Sequence, residues 1–219
     1  TSYSFNGDGI VSIGPDKVDS LSQFTVTAWC NVEVFNGSES SHGLDTNVVS
    51  NADNSTWRLS DNDSFQLGYN SNGEITLYLD DDGNHEHISG DTQVGTNEWH
   101  HLAVTHDGTD AILYLDGSEE VTWNHPLPLD NNNYFKIGAG FDKEHALNGR
   151  DQEVRLYDRV LPEGEIDDLY SIGSGDRTTQ SLHDGTDSAA LSRWKFDSGS
   201  VREDSWGERT VDDSSSSGI

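Results

Sequence analysis

Residues 24–32 read Phe24-Thr25-Val26-Thr27-Ala28-Trp29-Cys30-Asn31-Val32. Successive side chains of an extended chain point to opposite faces, so Phe24, Val26, Ala28, Cys30 and Val32 share one side and Thr25, Thr27, Trp29 and Asn31 the other. This predicts a half-buried β-strand whose first set lies on a core. Segments of the same texture recur outward at 65–69, 74–79, 99–106, 111–115, 121–123, 134–139 and 154–157. Between them stand Asn72-Gly73, Asp82-Gly83, Asp107-Gly108 and Asp116-Gly117, whose second residue accepts the positive φ of a tight hairpin. Many short antiparallel strands joined by tight turns make an all-β sandwich or jelly roll.

One short helix interrupts the pattern. Leu161 to Tyr170 places Pro162 in the first turn, Glu163 and Glu165 near the positive end of the dipole, and Leu161, Ile166, Leu169 and Tyr170 roughly on one side. Such a helix would cap one edge of the sandwich. Residues 174–190 are polar without apolar periodicity and read as a linker. Strand character resumes at Leu191-Ser192-Arg193-Trp194-Lys195-Phe196, and the chain closes in a Ser-rich tail read as mobile.

Charge narrows the function classes. Forty acidic side chains against 12 basic ones give a net charge of −28, and the lysines are only Lys17, Lys136, Lys143 and Lys195. Binding to phosphate backbones or anionic membranes needs clustered Lys and Arg, so nucleic-acid partners and electrostatic membrane docking are excluded. No apolar run approaches the roughly 18 residues of a spanning helix, which argues against membrane insertion. An Asp-rich, Lys-poor surface suits a medium whose salt screens self-repulsion, so a halophile's protein is expected. Cys30 is the only cysteine, which rules out an intrachain disulfide and a thiolate metal site. The chain opens on Thr1 with neither a basic nor an apolar leader segment and contains no Met. Two origins fit that start: a leader cleaved before Thr1, or cytoplasmic synthesis followed by export through assembly, as for a virion protein.

Six successive stretches carry a family resemblance: Phe5 to Val11, Phe24 to Trp29, Glu98 to Thr105, Leu113 to Gly117, Phe135 to Gly138 and Gly149 to Leu161. In order and spacing the chain resembles the laminin-G-like, concanavalin-A-like jelly rolls over residues 1–170, and a haloarchaeal or haloarchaeal-virus member is expected. The resemblance implies two antiparallel sheets and one short helix. Two departures stand out. Asp151-Gln152-Glu153-Val154 replaces the family's usual Ile-Asp-Glu-Val run, and the stretch from Leu191 to Ser215 resembles a segment that normally comes first. The domain reading is therefore a jelly roll at 1–173, a linker at 174–190, and residues 191–219 as a permuted strand plus tail. That strand would complete the sandwich of its own subunit or of a neighbour, making a homo-oligomer a natural outcome.

Sugar recognition uses a ring beneath the apolar face of a pyranose with polar groups reaching its hydroxyls. Trp123, His125, Asn132, Tyr134 and Trp57 lie at strand ends or loops with such partners nearby and are the candidate ligand residues. A calcium site of the kind the resemblance implies would draw on the Gly7 carbonyl, Asp8 and a carboxylate such as Asp151 or Asp197. No catalytic residue is assigned. Glu165-Ile166-Asp167 has the spacing of a glucanase carboxylate pair but falls in the helix, and no Ser-His-Asp set can be assembled. The expected function is a non-catalytic module binding glycan or glycoprotein on the surface of a halophile or its virus. The alternative is a structural virion protein contacting other virion subunits, such as a decoration, turret, spike or fibre subunit; a glycoside hydrolase comes third.

Overall fold

The computed structural model describes residues 2–7, 9–15, 21–36, 43–52, 64–81, 84–126, 134–140, 145–174, 192–194, 201–203 and 209–211. Its strands are β1 (Tyr3–Asn6), β2 (Val11–Pro15), β3 (Phe24–Val32), β4 (Thr46–Ala52), β5 (Ser64–Tyr69), β6 (Glu74–Asp81), β7 (Asn84–Gln93), β8 (Trp99–His106), β9 (Asp110–Leu115), β10 (Ser118–Asn124), β11 (Tyr134–Ile137) and β12 (Asn148–Tyr157). Helix α1 (Glu163–Gly173) and three short strands, β13 (Ser192–Trp194), β14 (Val201–Glu203) and β15 (Arg209–Val211), follow. One sheet runs β1-β12-β3-β8-β9-β10, with β13 also on β12; the other runs β14-β15-β2-β11-β4-β5-β6-β7. Neighbouring strands are antiparallel except β15 and β2, which meet in parallel at Arg209 and Val11. The two sheets stack as a jelly-roll sandwich.

Strand β3 shows why the layers hold. Phe24, Val26, Ala28, Cys30 and Val32 enter the core with Leu102 and Val104 of β8 and Phe65, Leu67, Ile75 and Leu77 of the facing sheet. The second set is buried too, so the whole strand is closed to solvent instead of half of it. Helix α1 and the segment leading into it supply the cover, packing on the outer face of the first sheet and not capping an edge. Thr25 Oγ1 donates to the Arg159 carbonyl at 2.8 Å and accepts from the Leu161 amide at 2.9 Å, while Trp29 stacks on Tyr170 with centroids 5.6 Å apart. Ala103, Tyr114, Tyr157, Leu161 and Ile166 form a second apolar cluster beneath the helix.

Three expected turns are in place. Asp116 and Gly117 both take positive φ, 50° and 83°, in the β9–β10 hairpin, while Gly73 has φ 81° and Gly108 φ 100°. Asp82-Gly83 lies outside the described residues.

Strand β12 organises the first sheet. One edge pairs with β3, while the other carries β1 opposite 148–151 and β13 opposite 154–156. Between the two a bulge inserts one residue, with Glu153 at φ 54°, and so returns Val154 and Leu156 to the core. The side chains of Glu153 and Arg155, both buried, close an ion pair at 3.1 Å across this bulge. Residues 175–190 of the expected linker, and 191, 195–200, 204–208 and 212–219 of the C-terminal stretch, lie outside the described residues.

Candidate functional site

The edge strand of the first sheet, β10, runs against the edge strand of the second, β7. Glu120 pins one end of this seam, its Oε2 accepting the amides of Asp91 and Thr92 at 3.1 and 3.0 Å. At the other end Trp123 is half-buried, resting on the core beside Val121 and Ile88. Two residues on, His125 brings its ring to 4.6 Å from the Trp123 ring at 52°, and its Nε2 lies 3.7 Å from Glu86 Oε2 across the seam. The Glu86 side chain is 56% exposed and that of His125 only 11%, so the carboxylate stands at the mouth and the imidazole behind it.

A buried histidine holds this arrangement. His106 Nδ1 accepts the Gly108 amide at 2.9 Å, so its ring proton sits on Nε2, which donates to the His125 carbonyl at 2.9 Å. Burial pushes its pKa below the ordinary histidine value, and the neutral ring stacks on Phe24. The following turn is tied by Asp107 Oδ1, which accepts the amides of Thr109 and Asp110 at 2.8 Å each; these hydrogen bonds hold its carboxyl below the usual range. The result is an aromatic face, an imidazole and an open carboxylate on a braced edge, a set suited to a neutral polyol.

Tyr134 is not part of this seam. Phe135 and Ile137 enter the core, so Tyr134 and Lys136 project from the outer face of the second sheet. Strands β4, β5 and β6 separate β11 from β7, which at about 4.8 Å per strand puts Tyr134 roughly 19 Å from the seam. Trp57 and Asn132 lie outside the described residues. The same outer face carries a feature that sequence reading missed: Ser12, Lys136, Ser50, Gln66, Tyr78 and His87 stand in register across six strands. The first five are buried and His87, next to Glu86, is exposed. Strand alternation marks each as facing away from the core, but the burial of that face comes from the tertiary structure.

Of the residues expected to hold calcium, Gly7 and Asp151 are not brought together. Asn6 pairs with Asn148 and Tyr3 with Asp151, so Gly7 stands about four residues, roughly 13 Å, from Asp151 along the ladder. Ligands to one ion lie within about 2.6 Å of it. Asp8 and Asp197 are outside the described residues. Asp151 points into the core beside Cys30, fully buried, and neither carboxyl oxygen has a hydrogen-bond partner. Burial raises its pKa well above the usual value, opposed by the neighbouring Cys30 thiol, and burial raises the thiol's pKa as well. Across the ladder Cys30 faces His100, whose Nδ1 meets Asp116 Oδ2 at 2.8 Å. Among the described residues no group of three His, Cys, Asp or Glu side chains is placed to hold a metal. Glu165 is gripped by Arg159 through contacts of 3.1 and 2.6 Å, which lower its pKa.

The profile of the concanavalin A-like lectin/glucanases superfamily matches residues 5–167. No curated protein matches the chain. Among solved structures, domain 4 of AbnA, a GH43 extracellular arabinanase from Geobacillus stearothermophilus in complex with arabinotriose, superposes at TM-score 0.61. It is 21% identical over 77% of this chain and 76% of its own. The CBM40 of Ruminococcus gnavus IT-sialidase bound to α2,3-sialyllactose superposes at 0.56 with 12% identity, over 77% of this chain and 96% of its own. A heptameric SAP-like pentraxin from Limulus polyphemus superposes at 0.52 with 15% identity, over 77% and 85%. At these identities the likeness is one of fold.

Proposed function

The chain belongs to the concanavalin A-like lectin/glucanases superfamily, and from that premise we propose that it is a non-catalytic glycan-binding module whose ligand sits at the β10–β7 seam. One observation carries the reading: the half-open Trp123 ring lies against His125, with the Glu86 carboxylate at the mouth. Such a ring takes the apolar face of a sugar, and the carboxylate accepts from its hydroxyls. Two fold neighbours that bind glycans, in the arabinotriose and sialyllactose complexes, support it. The non-catalytic part is supported by Glu165, which Arg159 holds ionised on a helix surface, whereas a glycosidase needs one carboxyl kept protonated in a groove opposite a second.

In this reading the module works outside the cell, on a cell or virion surface in high salt, where screening offsets a charge of −28. A purely structural virion role would draw on exchange of the last strand between subunits. The pairing of Ser192–Trp194 with β12 of its own chain supports the free-standing reading over exchange.

The test is a glycan array of neutral oligosaccharides in molar KCl, followed by calorimetry on the best binder. Trp123→Ala is expected to weaken binding at least about tenfold and Trp123→Phe to keep most of it, with circular dichroism confirming the fold of both. Undiminished binding by a folded Trp123→Ala protein refutes the site.

A further inference from the structure

The outer face of the first sheet, beyond the end of α1, holds an arginine with no acidic partner among the described residues. Arg150 of β12 stands opposite Asn31 of β3, which stands opposite Trp99 of β8. Its guanidinium carbon lies 5.7 Å from the centroid of the half-buried Trp99 ring, and Nη2 donates to Asn31 Oδ1 at 3.2 Å. That bond uses one of the five N–H donors of a guanidinium. Nε is buried without an acceptor.

What makes this unusual is the company. The chain has 40 acidic side chains and 12 basic ones, and Arg155 and Arg159 each hold a glutamate. Arg150 pairs with no carboxylate among the described residues. A guanidinium within cation–π reach of an indole and hydrogen-bonded to one amide is restrained on two sides. With Nε buried, the Nη1 and Nη2 groups form the planar fork that fits a carboxylate bidentately.

We propose that Arg150, Asn31 and Trp99 form a second recognition site, for the carboxylate of an acidic sugar such as a uronic acid. The carboxylate takes the free N–H edge of Arg150, and the sugar ring rests against the exposed part of Trp99. The choice of a sugar rests on the glycan-binding reading above; the choice of an anion rests on Arg150 alone. The surrounding negative field repels such a ligand at low ionic strength, so binding strengthens as salt screens that field, until salt also weakens the short-range pair.

The experiment titrates methyl β-D-glucuronide, methyl β-D-glucoside and acetate into the full chain in 1 M KCl. The Trp99 indole and Arg150 Nε–H signals are followed by NMR, with assignments from triple-resonance spectra of the unmodified protein. The proposal expects the glucuronide to move both signals and to bind at least tenfold more tightly than the glucoside or acetate. Arg150→Gln should lose that preference, Arg150→Lys should keep only part of it, and Trp123→Ala should keep it intact. Equal affinity for glucuronide and glucoside overturns the proposal. So do acetate binding as tightly as the glucuronide, unchanged binding by Arg150→Gln, and silent Trp99 and Arg150 signals in the unmodified protein. The last readout needs no variant to fold. Loss of neutral-glycan binding in Trp123→Ala is scored separately, so either site can fail alone.

Discussion

Replacing Asp151 with Asn should remove a large part of the protein's pH-dependent stability. The carboxyl is fully buried between the sheets, its oxygens have no hydrogen-bond partner, and burial raises its pKa well above the ordinary value. In the unfolded chain it ionises near pH 3.9. The folded protein therefore binds one more proton than the unfolded chain at every pH between the two pKa values. The stability Asp151 contributes is complete below about pH 3.9 and is lost as pH rises through the folded pKa. Within that window the loss is up to about 1.4 kcal/mol per pH unit, or about 4 °C in Tm per unit for a chain of this size. Asn is nearly the same shape and cannot ionise; its amide hydrogens lack acceptors and should cost about 1–3 kcal/mol at low pH. The wild-type protein is then expected to be the more stable at pH 4, with the difference shrinking as pH rises. The assay is urea unfolding followed by far-UV circular dichroism at pH 4.5, 5.5 and 6.5, with salt fixed at 2 M KCl to hold general charge repulsion constant. The difference between the two proteins isolates this residue. Parallel pH profiles would refute the reasoning, because Asp151 would then be titrating as it does in the unfolded chain.

Two further outcomes follow from the same packing. Cys30 is buried beside Asp151, and burial raises its thiol pKa, so it should resist a thiol reagent such as DTNB in the native protein and react stoichiometrically in urea; prompt native labelling would mean the core opens at this end. Gly173 ends α1 where a β-carbon would collide with the Trp29 indole, so Gly173→Ala should destabilise by about 1–3 kcal/mol in urea melts despite alanine's better helix propensity, whereas a neutral or stabilising result would mean that the helix end shifts freely.

The core was legible because its signal is local. The alternation in residues 24–32 identifies the five β3 residues that enter the core, and Asp116-Gly117 supplies the positive φ its hairpin needs. What the alternation could not show is a second burial surface. Thr25 and Trp29 look solvent-facing until a helix more than 130 residues later closes over them. The same limit governs the site. Trp123 and Tyr134 are near in sequence, but β10 belongs to the first sheet and β11 to the second, so the chain crosses between layers and carries them apart. Glu86 joins Trp123 and His125 only because the two sheet edges meet there, and no spacing in the sequence records that contact.

The distribution of positive charge gives the fold a further logic. Strands β1 to β12 and the entry to α1 carry the cationic residues Lys136, Arg150, Arg155 and Arg159. Arg155 braces the β12 bulge through Glu153, Arg159 braces the entry to α1 through Glu165, and Lys136 is buried in the polar row across the second sheet. In a chain with 28 more acids than bases, each cation is the scarcer partner, and any acidic side chain within reach would have gained by taking it. Arg150 is half-buried on an aromatic ring, with Asn31 as its hydrogen-bond acceptor. A neutral amide as its hydrogen-bond partner and an indole beside it are the features on which the proposed carboxylate site rests.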